Sequence, residues 1–128
     1  YLAAGTPLIP TSPFDFAQLL QWQFFEQYSH EPYIAVARYI NIYLGMPESR
    51  IQEFEAKQSG GYKALEVMEQ QLSTSPFLIA NTITLADISL FAYTHVAHEG
   101  GFDLSAYPAI RNWIGLIKEQ KGFVAMQA

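Results

Sequence analysis

Residues 84–99, TLADISLFAYTHVAHE, constrain the fold more than any other stretch. The run is apolar nearly all the way round, with Leu85, Ile88, Ala92 and Val96 on one face and Leu90, Phe91, Tyr93 and Ala97 on the others. A helix without a polar face belongs in an interior, because any exposed side would leave apolar area in water. Its start is marked by Thr84 and Asp87. The threonine hydroxyl is placed to accept the Asp87 N–H, and the carboxylate to reach back to the Thr84 N–H. Ile83 and Ile88 are spaced for a hydrophobic staple across that cap. Gly100-Gly101 ends the run, since glycine takes left-handed dihedrals without a Cβ clash. The spacing therefore predicts a buried central helix over 84–99 that needs other helices around it.

The rest of the chain supplies them. With 128 residues, half of them apolar, it has enough material for one domain with a core. Gly5 and the three prolines of residues 6–13 predict an extended linker, with Tyr1 to Ala4 as the last turn of a preceding element. Ser12 and Pro13 open a helix that carries Phe16, Leu19, Leu20, Trp22, Phe24, Phe25 and Tyr28 on several faces, more than one bundle contact would use. Pro32 either kinks this helix or starts another, which runs on through Val36, Ala37, Ile40, Tyr43 and Leu44 to Gly45. Residues 48–72 hold an amphipathic stripe: Ile51, Phe54, Tyr62, Leu65, Met68 and Leu72. Gly60-Gly61 keeps that phase at a cost of about 1 kcal/mol per glycine relative to alanine, so one long helix and a break both remain open. Phe77-Leu78-Ile79 reads as a short buried strand-like piece. Pro108 opens a last helix with Ile110, Trp113, Ile114 and Ile117 inward, and Phe123, Val124 and Met126 pack as a terminal turn. The class is all-α, a bundle of five to six helices.

Several function classes are excluded. Without cysteine there is no disulfide, thiolate nucleophile or cysteine metal site. A formal charge of −5 argues against nucleic acid as a partner. No apolar run reaches membrane-spanning length, so no membrane partner is expected. His95, His98 and Glu99 are too few to complete a metal site, and Ser89 and Thr94 lack a neighbouring base, so neither a metal nor a catalytic residue is assigned. Arg38, Arg50 and Arg111 read as surface or ion-pair residues. Few charges and many aromatics predict faces covered by another domain or subunit.

The string F-L-I-A-x-x-x-T-L-A-D-I-S-L-F-A-Y, followed by Y-P-A-I-x-x-W and G-F, resembles the helical C-terminal domain of the cytosolic glutathione S-transferases. Thr84 and Asp87 match that family's capping box. Phe77, Leu78 and Ala80 match its upstream element, and Tyr107, Pro108, Ile110 and Trp113 its later helix. Residues 21–30, QWQFFEQYSH, are similar to the first helix of bacterial members. The resemblance implies an orthogonal bundle of that type over 13–128, with 1–12 as the end of a preceding domain and an interdomain linker. It implies a parent that joins glutathione, as co-substrate and not a permanently bound cofactor, to hydrophobic electrophiles in the cytoplasm. The implied partners are an N-terminal thioredoxin-like domain, a second copy in a homodimer and a small hydrophobic electrophile. Phe24, Tyr28 and His30 are the implied pocket residues, and Gln27 a contact to glutathione. Aromatics at helical spacing equally suit a core, and His30 equally suits a helix end. The thiol-activating residue would lie in the preceding domain, so this chain alone is expected to be inactive. The opening Tyr fits a piece of a longer chain, or a processed or tagged form. A non-catalytic interaction module of the same fold is the alternative, and an unrelated ligand-binding helical bundle a third.

Overall fold

Among the described residues the regular structure is five α-helices with short 3₁₀ and π turns, and no strand occurs. The structure, a computed structural model, describes residues 3–125; the expected contributions of Tyr1, Leu2 and Met126 lie outside them. The helices are α1 (Pro13–Phe25), α2 (Glu31–Arg38), α3 (Ile51–Leu72), α4 (Leu85–Thr94) and α5 (Pro108–Lys118). The all-α class holds.

The linker is not extended. Residues 3–9 form successive turns, closed by Thr6 N–H to Ala3 O and Ile9 N–H to Thr6 O, and Leu8 O accepts the first N–H of α4 from Leu85 at 3.0 Å. That last bond satisfies a donor no helix satisfies for itself, so it fixes the linker to the start of α4.

Pro32 does not break the first helix. Ser12 caps α1 by accepting the Asp15 N–H, and a π turn over Glu26–His30 then joins α1 to α2. Pro32 has no N–H to donate. The register widens ahead of it, with Glu31 N–H on Glu26 O, and Pro32 takes the first turn of α2. A second π turn, Tyr39–Tyr43, carries the rod to Leu44, whose N–H reaches Tyr39 O.

α3 is one uninterrupted helix, and its two glycines are packing devices. A Cβ on Gly60 would run into the Tyr33 ring, and one on Gly61 into the Phe102 ring and within 3.3 Å of Ile34. Bare backbone at this point lets α3 sit close on α2. The inward residues of α3 are Gly61, Ala64, Leu65, Met68 and Leu72, whereas Ile51 is exposed, contrary to the expected stripe. A 3₁₀ turn over Glu48–Arg50 precedes the helix.

The central helix is buried as expected but ends early. Its inward side is Ala86, Asp87, Leu90, Phe91 and Thr94, while Ile88 is 45% exposed. Thr94 Oγ1 donates to Leu90 O at 2.6 Å, and His95 Nδ1 lies 2.7 Å from Phe91 O. These side chains take the last carbonyls and release the chain into a 3₁₀ turn, Ala97–Gly100, which left-handed Gly101 closes. Trp113, Ile110 and Ile117 of α5 complete the core together with Phe102 and the bent, buried Phe77–Ile79 segment. α5 has no cap of its own. The Glu69 carboxylate of α3 accepts the N–H groups of Ala109 and Ile110, both at 2.9 Å. Phe123 packs edge-on to Phe91, but Val124 points into solvent.

Candidate functional site

Phe16, Leu20, Phe24 and Tyr28 recur every four residues along α1 and its π turn. This is one helical ridge. The ridge faces outward: its members are 42, 43, 70 and 87% exposed, while Leu19, about 100° round the helix from Leu20, is buried. Leaving four large apolar side chains in water is costly, at about 25 cal/mol per Å² of apolar surface. The side of α1 toward the bundle is settled by polar contacts as well as packing. Gln23 Nε2 donates to Leu85 O at 3.0 Å and its Oε1 accepts from Ser89 at 3.0 Å, locking α1 to α4.

The sequence-derived candidates are not brought together. Phe24 and Tyr28 lie on the ridge, and Tyr28 also lines a shallow groove with Tyr33 and Lys63. Gln27 is exposed and donates to the buried Glu26 carboxylate at 2.6 Å. His30 is fully buried, with Nε2 2.9 Å from Thr94 Oγ1. Since Thr94 gives its own proton to Leu90 O, His30 Nε2 is the donor, and Nδ1 has no partner among the described residues. Burial lowers the His30 pKa from 6.5 to about 4, so the ring is neutral near pH 7. His30 therefore ties the first π turn to the end of α4, away from the ridge.

Asp87 does more than cap. The capping box with Thr84 is present, with Thr84 N–H on Oδ2 at 2.8 Å. Oδ1 also accepts Leu78 N–H and Trp113 Nε1–H, both at 2.9 Å. One carboxylate thus joins α4, the Phe77–Ile79 segment and α5.

The concavity with the most chemistry was not evident from the sequence. It lies between the second π turn, α4 and the C-terminal segment, with a volume of about 660 Å³, and is lined by Arg38, Tyr43, Tyr93, His95, Glu99 and Lys118 among others. A smaller pocket beside it shares Arg38, Tyr43 and Tyr93 and adds Tyr39. Arg38 Nε donates to Glu99 at 2.5 Å, Nη1 to Tyr43 Oη at 3.3 Å, and the guanidinium lies 5.2 Å from the Tyr43 ring centre. Residues five apart on an α-helix point about 140° away from each other. The widened turn lets Arg38 and Tyr43 meet, which helical periodicity in the sequence does not reveal. Asn41 donates to Glu99 O at 2.7 Å and Gln58 to Gly100 O at 3.1 Å, holding the 3₁₀ turn that presents Glu99. His95 stacks on Phe91 with ring centres 4.5 Å apart. Among the described residues no cluster of His, Asp or Glu is placed to hold a metal, and no helix is long and apolar enough to cross a membrane.

Residues 51–115 match the family described as glutathione S-transferase, C-terminal domain. The crystal structure of a glutathione S-transferase from Pseudomonas fluorescens Pf-5 is similar at 54% identity and a TM-score of 0.95, over 97% of this chain and 62% of that one. One from Xanthobacter autotrophicus Py2 shows 42% identity and a TM-score of 0.91, over 95% of this chain and 60% of that one. Among curated proteins, the disulfide-bond oxidoreductase YfcG of Escherichia coli K12 is 26% identical over 97 residues, which are 76% of this chain and 44% of that protein. The chain thus spans less than two thirds of the length of each of these relatives.

Proposed function

Because this chain belongs to the glutathione S-transferase C-terminal-domain family, we propose that it is the electrophile-binding and dimerisation half of a glutathione S-transferase. Residues 1–12 lead in from a thioredoxin-like domain that binds glutathione and activates its thiol. The observation that carries this reading is the outward ridge of Phe16, Leu20, Phe24 and Tyr28 on a domain whose core is already filled. Such a ridge calls for cover, and the preceding domain and a second subunit are the two bodies that would provide it.

In this reading the electrophile lies in the Arg38–Tyr43–Tyr93 cleft, which has the size and aromatic walls of a small-molecule site. Phe24 and Tyr28 become apolar contacts once the ridge is covered, and Gln27, beside them, contacts glutathione. His30 holds the π turn that leads to the cleft. The glutathione thiolate attacks the electrophilic carbon, the new S–C bond forms, and the leaving group departs with the bonding pair. This chain binds and orients the electrophile, and activation of the glutathione thiol falls to the preceding domain. The protein works in the cytoplasm as a homodimer.

The test compares the 128-residue chain with the same chain behind its natural upstream sequence, using glutathione and 1-chloro-2,4-dinitrobenzene. Conjugation by the longer protein and none by the chain alone is expected. Turnover by the chain alone, or by neither, contradicts the assignment. The YfcG similarity favours one second reading, thiol–disulfide exchange by the longer protein, which a disulfide substrate in the same assay would reveal. A longer protein inactive in both assays would fit a non-catalytic interaction module.

A further inference from the structure

Arg38 and Lys118 line the same cleft, two of only seven basic residues in a chain of net charge −5. From this placement we infer that the cleft selects aromatic ligands carrying a carboxylate, with the ring against Tyr43 and Tyr93 and the anion on Arg38 and Lys118. This inference rests on the cleft being the electrophile site proposed above, and it narrows the substrate class from hydrophobic to acidic aromatic.

The donor count supports it. A guanidinium has five N–H donors. Glu99 takes Nε–H and Tyr43 Oη takes one from Nη1, which leaves three on the outer fork, the geometry that a carboxylate meets in bidentate fashion. Glu99 lines the cavity too and would repel an anion. Its charge is already met by Arg38 at 2.5 Å, and Lys118 makes no ion pair among the described residues. The charged lining residues, Arg38, Lys118 and Glu99, thus sum to +1. The Arg38 side chain is 19% exposed and braced by Glu99 and Tyr43, so it is pre-organised to receive a ligand. A neutral ligand of the same shape would leave the Arg38 donors poorly matched and gain nothing from Lys118, and a partly buried polar site left unpaired discriminates between isosteres.

The experiment measures binding of 2-naphthoate and its neutral isostere 2-naphthamide to the 128-residue chain by calorimetry, with the site located by NMR shifts at Tyr43, Tyr93 and His95. The acid is expected to bind at least tenfold more tightly than the amide. Lys118→Gln, an exposed change at the end of α5, is expected to weaken the acid about threefold and leave the amide unchanged; Arg38→Met is expected to remove the preference. Equal affinity of acid and amide at this cleft would overturn the charge selection while leaving the electrophile site standing. Shifts confined to other residues, or no binding of either probe, would remove both.

Discussion

Asp87 is a fully buried carboxylate whose contacts are all donors: the N–H groups of Leu78 and Thr84, the Thr84 hydroxyl and the Trp113 indole. A helix cap alone is worth about 1–2 kcal/mol. Removing this acceptor also strands donors in the core, so Asp87→Ala is expected to destabilise by about 3–5 kcal/mol. Asp87→Asn should be almost as harmful, because its NH₂ would face donors. Thr84→Ala, which loses one hydroxyl, should cost about 1 kcal/mol. Urea midpoints of the three variants check this order; equal small losses would reduce Asp87 to a cap. His30 gives a pH test. Its folded pKa, about 4, lies below the unfolded value of 6.5, so the unfolded chain binds the proton first. Stability is complete above pH 6.5 and falls as the pH drops toward 4, by about 3 kcal/mol for this group. The His30 ring proton signals should not titrate between pH 8 and 5; a midpoint near 6.5 would show that the ring is not buried.

At the scale of elements, the termini were the legible part. The Thr84–Asp87 box, Ser12 before α1 and Pro108 at the start of α5 all stand where the sequence places them, because capping chemistry is local, whereas Gly101 closes the 3₁₀ turn that follows α4 and not α4 itself. What the sequence left open depended on residues far away in the chain. The sequence left open whether Pro32 kinks the helix or starts another, and the widened turns on either side of α2 are pinned by His30 meeting Thr94 and Arg38 meeting Glu99, more than 60 residues on. The cleft went unseen for the same reason, since its cation, its tyrosines and its histidine come from segments that only the fold assembles. The cap of α5 by Glu69 carries no local signal at all. The glycine pair of α3 likewise reads as a weak point until Phe102, Ile34 and Tyr33 are seen against it. Helix propensity favours alanine over glycine by about 1 kcal/mol. Gly61→Ala should nevertheless lose about 2 kcal/mol, because its methyl enters the Phe102 ring in a filled core. Gly60→Ala should be close to neutral, since the partly exposed Tyr33 ring can swing aside. Thermal melts of both separate the cases; a Gly61→Ala protein that gains stability would show that Phe102 does not pack this closely on α3.

At the scale of the molecule, core and surface make opposite demands on α1. Leu19, Gln23 and the rest of its inner side are held by α4, whereas the ridge contributes little to the chain by itself. A charge placed on the ridge should therefore change folding stability by less than about 0.5 kcal/mol, the usual range for exposed positions. It should strongly weaken whatever covers the ridge, because a desolvated, unpaired charge is costly at an interface. The double variant Leu20→Lys/Phe24→Lys tests both at once. Its urea midpoint as the 128-residue chain should match the unchanged chain, while the longer protein carrying the same changes should sediment as a monomer or expose its domain junction to protease. A large loss of stability in the 128-residue chain would mean that the ridge already packs on the domain's own core. If the longer protein stays dimeric and protected, the cover lies elsewhere. The second π turn would then be the next place to look, since Tyr39, Ile42 and Tyr43 are also exposed there.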